Sequence, residues 1–232
     1  MNRLKRIFIA VILVIAGQSA IAAEAEVGGM FNLNVNKKFN DYFFVSFQNH
    51  LWLDHNFTKM ERYMIGVNLK TTLVKKHLFF DAYYYYRYRN ITDSENTHRY
   101  QFGLSGGYAL PKVKFSAVSK MESNHIFLAS EEYFNNTYYW RNRLTIIGIL
   151  KNNKKVSPFG AVEVFNKMNW RKEFNKEHGY INKKGVELIW LDLGVDYKIN
   201  DTFSLTFTVK EQLNLFIQRY STMLGVACSV NL

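Results

Sequence analysis

Phe203-Ser204-Leu205-Thr206-Phe207-Thr208-Val209-Lys210 puts an apolar side chain at every odd position and a polar one at every even position. A β-strand turns successive side chains to opposite faces, so this stretch has one apolar face and one polar face. The same period extends in both directions along the chain. In 42–53, Phe43, Val45, Phe47, Leu51 and Leu53 share a face opposite Phe44, Ser46, Gln48, His50 and Trp52. In 62–71, Tyr63, Ile65, Val67 and Leu69 oppose Arg62, Asn68 and Lys70. In 78–89, Phe80, Ala82, Tyr84, Tyr86 and Tyr88 oppose Asp81, Arg87 and Arg89. Further strands are predicted at 30–37, 99–108, 113–122, 138–149, 158–165, 186–198 and 216–232.

Alternation also suits a soluble sandwich. Three features select a barrel in a membrane. Segments of about ten residues recur along the chain, as barrel strands do. Connections alternate short (73–77, 109–112, 199–201) and long (90–98, 123–136, 166–184), the pattern of periplasmic turns and outer loops. The chain also ends in an alternating strand with Leu224, Val226, Cys228, Val230 and Leu232 on one face. That ending resembles the signal read by the barrel-assembly machinery of the outer membrane. The expected fold is therefore all-β: a single antiparallel transmembrane β-barrel of about 10–12 strands. The segments above number eleven, and single-chain bacterial barrels are usually even. With short turns in the periplasm, 30–37 has the wrong polarity for a first strand. This reading leaves ten strands without it, or twelve if 166–184 hides another.

Composition agrees with this. The 232 residues include 19 Phe, 15 Tyr and 4 Trp but only 2 Pro and 1 Cys. The aromatic load favours strands, and a single Cys excludes an internal disulfide framework. The chain opens with the basic run Asn2-Arg3-Leu4-Lys5-Arg6. An uncharged apolar run from Ile7 to Ala16 follows, then Ala20-Ile21-Ala22. This is the layout of a secretory signal peptide, and the apolar run is too short to span a bilayer. The expected domains are a signal peptide at 1–22 and an outer-membrane barrel at 23–232, in a Gram-negative cell. Lys and Arg number 30 against 19 Asp and Glu, a net +11; three of the basic residues and no acidic ones lie within 1–22, which leaves +8. In an exported chain, nucleic acid is not the expected counter-charge. Outer-membrane lipid and phosphate-bearing glycolipid are.

Charges at membrane depth must face the lumen and pair there. Alternation puts Arg62, Lys70, Arg87, Arg89, Arg99, Lys120, Arg141 and Arg143 on the non-lipid face, with Lys114, Lys198, Lys210 and Arg219. Asp81, Glu122, Glu163, Asp192 and Asp196 oppose them. Such groups fill and brace a narrow barrel, or, since basic residues outnumber acidic ones, form an anion-preferring passage. Trp52 and Trp190 also alternate inward; Trp140 and two of the residues Tyr83 to Tyr86 alternate outward, towards the aromatic girdle. Cys228 falls on the lipid face.

A lipid-modifying enzyme embedded in the membrane is the alternative. It needs a nucleophile beside a base. The six histidines are His50, His55, His77, His98, His125 and His178, and no Gly-x-Ser-x-Gly elbow occurs. No metal-ligand spacing is present, so no cofactor, metal or catalytic residue is assigned. No protein partner is indicated.

Several short motifs carry a family resemblance. Asn36-Lys37-Lys38-Phe39, the 42–53 strand and Arg62-Tyr63-x-x-Gly66-Val67 resemble the start of an uncharacterised family of bacterial outer-membrane barrels, catalogued as domain of unknown function 2490. So do the run Tyr83-Tyr84-Tyr85-Tyr86-Arg87-Tyr88, His98-Arg99-Tyr100 and Arg141-Asn142-Arg143-Leu144. Ser157-Pro158-Phe159 with Glu163-x-Phe165, and Leu193-Gly194-Val195-Asp196-Tyr197-Lys198-Ile199-Asn200, are similar to its later part. The resemblance implies a barrel with no assigned activity. The functional expectation is a structural or interaction barrel, or a narrow conduit with a charge-filled lumen.

Overall fold

The computed structural model describes residues 26–54, 57–75, 77–89, 95–128, 131–150, 155–168, 172–175, 179–182 and 184–232. The expected signal peptide lies outside the described residues. Runs of alternating, aromatic-rich sequence become strands β1 (Glu26–Lys38), β2 (Phe43–Asp54), β3 (Lys59–Val74), β4 (Leu78–Arg89), β5 (Glu95–Ala109), β6 (Val113–Leu128), β7 (Glu131–Gly148) and β8 (Val156–Lys167). Two short strands follow, β9 (Lys172–Asn175) and β10 (Gly179–Asn182), then β11 (Gly185–Lys198), β12 (Phe203–Asn214) and β13 (Arg219–Asn231). No helix occurs among the described residues.

Eleven strands close one barrel in the order β1-β13-β12-β11-β8-β7-β6-β5-β4-β3-β2. The expected range of about 10–12 strands thus holds, but neither the ten nor the twelve preferred on parity does. The 30–37 segment is a barrel strand. Its polarity is accommodated because β1 pairs with β13 in parallel, from Glu26 opposite Ser221 to Asn36 opposite Asn231. Every other pair in the ring is antiparallel. A barrel with an odd strand number must contain one such pair.

Three expected loops are changed; in 90–98, β5 already starts at Glu95, which pairs with Arg89. The described part of the 123–136 stretch is strand, because β6 runs on to Leu128 and β7 starts at Glu131, with register kept from Ser123–Tyr138 to Phe127–Phe134. The hidden strand sought in 166–184 is a hairpin of β9 and β10 that pairs only with itself.

The strand ends at Lys38 and Phe43, Val74 and Leu78, Ala109 and Val113, Gly148 and Val156, and Lys198 and Phe203 share one mouth of the barrel, the turn mouth. The barrel's other strand ends, except that of β13 at Asn231, share the opposite mouth. The turns after β1 and β11 have the same build. Asn40 Oδ1 accepts the amides of Tyr42 (2.8 Å) and Phe43 (2.9 Å), and Asn200 Oδ1 accepts those of Thr202 (2.9 Å) and Phe203 (2.7 Å). Lys38 pairs with Asp41 at 2.6 Å and Lys198 with Asp201 at 2.5 Å. Each lysine, through its hydrogen bond, holds its aspartate below the ordinary carboxylate pKa.

Candidate functional site: a filled interior inside an apolar wall

The two faces of the barrel invert the polarity of a soluble domain. Leu144 is 60% exposed, Ile146 53%, Phe207 51% and Leu191 51%, whereas Glu122, Glu163 and Asp192 are each 3% exposed. Soluble proteins almost never leave carboxylates fully inside an apolar shell. Here they are inside, and each one is paired.

The main network crosses six strands. On β5 and β6, Gln101 donates to Glu122 at 2.5 Å, Asn124 donates to it at 2.8 Å, and Arg99 lies 3.3 Å from it. Arg141 on β7 bridges Glu122 and Glu163, meeting Glu163 at 2.7 Å. Arg143 continues from Glu163 at 3.3 Å to Asp192 at 2.6 Å, and Lys210 on β12 closes on Asp192 at 2.6 Å. A second cluster lies on β3–β5: Arg62 contacts Glu61, Arg87 meets Glu95 at 2.6 Å and Thr97 at 2.9 Å, and Arg89 lies between Glu61 (3.7 Å) and Glu95 (3.9 Å). Two smaller pairs stand apart. Lys70 is 3.6 Å from Asp81, which also accepts the Ser105 hydroxyl; Asp196 accepts Thr206 Oγ1 at 2.6 Å. Lys120 lies over the Tyr83 ring at 5.0 Å.

Buried pairs of this kind are close to neutral in net stability, but removing one partner is expensive. Their value lies in shape, since each charge fixes the rotamers of its neighbours across strands.

Aromatic side chains then bridge the bore. Arg62 stacks on Trp52 at 4.2 Å, Trp52 meets Trp190 at 5.9 Å, Trp190 meets Phe165 at 4.4 Å, and Phe165 lies under Arg141 at 4.1 Å. β2 and β11 are four steps apart round the ring in one direction and seven in the other. The indole pair therefore spans almost the full width of the barrel. Met30 and Met223 pack beside Trp52. Tyr85 lies across Gly66, where any Cβ would collide with its ring, and so its hydroxyl reaches Gln48 on β2.

Several interior residues escaped the sequence reading. Glu61 sits at the bulge where β2 and β3 lose register between Trp52 and Leu53, so strict alternation misplaces it. Glu95 lies in a segment assigned to a loop. Glu187 accepts the Tyr139 hydroxyl at 2.7 Å and stands at another bulge, between Val186 and Leu188. Thr97 and Asn124 lie in segments expected to be loops, and Gln101, inside an expected strand, carries no charge and gives no signal beyond its parity.

No family model and no curated protein matches the chain. Among solved structures, it is similar to a bacterial polysaccharide outer membrane secretin, at 13% identity and a TM-score of 0.48, covering 81% of this chain. The chain spans 63% of the length of that secretin. It is also similar to a NanC porin, at 10% identity and a TM-score of 0.47, covering 81% of this chain and 87% of the porin.

Proposed function

We propose that this chain is an integral β-barrel of the bacterial outer membrane, with a structural or interaction role and a bore closed by its own side chains. The inverted polarity carries the reading. An apolar outer wall with charges confined inside is what lipid requires of a strand-built span. The basic, apolar and small-residue layout of 1–22 supports export, and the alternating last strand supports handling by the assembly machinery. Lipid and glycolipid are the partners of the outer wall. Membership of the family catalogued as domain of unknown function 2490 is proposed on the motifs quoted above.

The Arg62–Trp52–Trp190–Phe165–Arg141 bridge supports closure. A narrow anion-preferring conduit is the second reading. It is favoured by two cavities of about 350 and 420 Å³ at the turn mouth that share Lys70. Lys37, Lys38 and Lys114 also line them, and among the described residues no Asp or Glu does. Refolded protein in planar bilayers decides between the two. The closed barrel gives no unitary conductance steps, and replacing Trp52 and Trp190 together by Ala creates them. Steps from the unaltered protein, with an anion-selective reversal potential, would overturn closure in favour of the conduit.

A further inference from the structure

The overturned loop at 123–136 has a chemical outcome. Because β6 and β7 continue as wall, Ser123 and His125 are strand residues. Glu122 and Asn124 point inward, both buried. Ser123 and His125 therefore point outward, with Met121 (46% exposed) and Phe127 (41%) on the same face. Ser123 Oγ and His125 Nε2 are 3.1 Å apart. Across the register, His125 stands opposite Asn136 on β7 and Ser123 opposite Tyr138; on β5, Tyr100 stands opposite Ser123. The Tyr100 ring meets the His125 ring edge-on at 5.6 Å and 82°, which fixes the imidazole plane.

A serine within hydrogen-bond reach of an imidazole nitrogen, with an amide residue opposite the histidine on the next strand, is a pairing that can turn a hydroxyl into a nucleophile. For Nε2 to accept the serine proton, Nδ1 must carry one. Asn136, opposite His125 in the register, is assigned that task and would turn its amide oxygen to Nδ1, as the carboxylate or amide does in Ser-His-Asp and Cys-His-Asn sites. Immediately towards the turn mouth the same wall is apolar, with Phe102 54% exposed, Met121 46% and Trp140 46%. An acyl chain can lie along these residues with its ester at Ser123.

We infer that the outer wall of the barrel carries an acyl-ester hydrolase site, with Ser123 as nucleophile, His125 as general base and acid, and Asn136 as positioning residue, acting on ester-linked membrane lipid. The lipid substrate rests on the outer-membrane reading; the chemistry at Ser123 does not. Ser123 Oγ adds to the ester carbonyl carbon while its proton passes to His125 Nε2. The C–O bond to the alcohol breaks, and His125 returns the proton to the leaving oxygen. Water then adds to the acyl-Ser123 carbonyl, giving a proton to His125. The C–Oγ bond breaks and Ser123 is re-protonated. The net change is ester plus water to carboxylic acid plus alcohol. Tyr100 and Tyr138 flank Ser123 on both neighbouring strands and supply phenolic O–H donors for the developing oxyanion.

The test uses the full chain, refolded in detergent micelles and shown folded by heat-modifiable gel migration. Two readouts are taken: labelling by a fluorophosphonate, mapped by mass spectrometry, and hydrolysis of a medium-chain p-nitrophenyl ester and of a diacyl phospholipid. Labelling at Ser123 and turnover of both esters are expected. Ser123→Ala and His125→Ala each lower turnover by more than about 100-fold, while Ser119→Ala, on the same face, leaves it unchanged. Asn136→Ala shifts the pH profile of kcat/KM and Asn136→Asp restores it, which a purely structural role would not do. Folded protein that takes no label at Ser123, or whose turnover survives Ser123→Ala, overturns the proposal and leaves the barrel reading standing. Turnover of the soluble ester without the phospholipid refutes the assigned substrate. Absence from outer-membrane fractions despite micellar turnover refutes the location instead.

Discussion

The two sides of the barrel interior are built differently. From β5 through β8 to β12, the wall is tied by charges: Glu122, Arg141, Glu163, Arg143, Asp192 and Lys210 form one chain of contacts. At the seam, where β1 and β13 meet beside β2, the interior contacts of the described residues are neutral: Met30 sits against Trp52 and Met223, a Cβ on Gly225 would collide with the Met30 methyl, and Asn34 Nδ2 donates to Ser229 Oγ at 3.4 Å. The charged side has little tolerance for losing a single member, because every charge there depends on another. The seam side depends on volume, and volume loss is graded.

The largest expected effect tests the charged side. Arg141→Ala leaves Glu122 and Glu163 buried without their shared cation and is expected to cost about 3–5 kcal/mol of folding stability. Urea midpoints of refolded protein in detergent, followed by tryptophan fluorescence and gel migration, measure it. Adding Glu122→Gln and Glu163→Gln to Arg141→Met should recover part of the loss, since both stranded carboxylates are neutralised and Arg143 keeps Asp192, while Arg99 loses its ion pair to Glu122. A cost for Arg141→Ala below about 1 kcal/mol, the value of an exposed pair, would dissolve the contrast between the two sides.

At the seam, Met30→Ala is expected to cost about 2 kcal/mol, the low end for a buried thioether, because Met223 is flexible enough to move into the space. The same urea titration reads it. A loss as large as that of Arg141→Ala would show that the seam, too, fails all at once.

The smallest effect concerns what the two sides share, the Lys-x-Asn-Asp turn after β1 and after β11. Asp41 and Asp201 have folded pKa values below their unfolded value of 3.8. Their contribution to stability is therefore fully present above that value. It is lost as the pH falls through the lower folded pKa. Both carboxylates face water, so the double variant Asp41→Asn, Asp201→Asn should lower the urea midpoint only slightly at pH 7. It should also flatten part of the decline below about pH 4. An unchanged acid limb would mean that these turns do not sense protonation.

Much of this was legible from side-chain parity. Period two gives the face of a residue, and that is enough for Trp52, Trp190, Arg141 and Glu163. It does not give the neighbour of a strand. The parallel seam was invisible for that reason, and an even strand count was expected in its place. Parity also fails at a bulge, which hid Glu61 and Glu187, and polar sequence hides strand where a barrel rises past its apolar belt. From sequence alone Ser123, His125 and Asn136 read as loop, because Glu122-Ser123-Asn124-His125 and Asn135-Asn136-Thr137 are polar on both faces. Only the continued ladder of β6 and β7 turns their outward members into one array.

The seam also sets an order in time. Ten of the eleven strand neighbours can zip from hairpins or from the modest β8–β11 connection, but β1 and β13 join residues such as Asn34 and Ser229, 195 positions apart. Closing so long a segment costs about 2 kcal/mol more chain entropy than closing a 20-residue hairpin. No partial register of a parallel pair is templated by a turn. The last event of folding is then the meeting of two free strand edges, so the sheet must stay open until the chain is complete. A folding intermediate of this protein should be a curled ten-contact sheet with β1 and β13 unpaired, and its lifetime should depend on the seam residues far more than on the charged side.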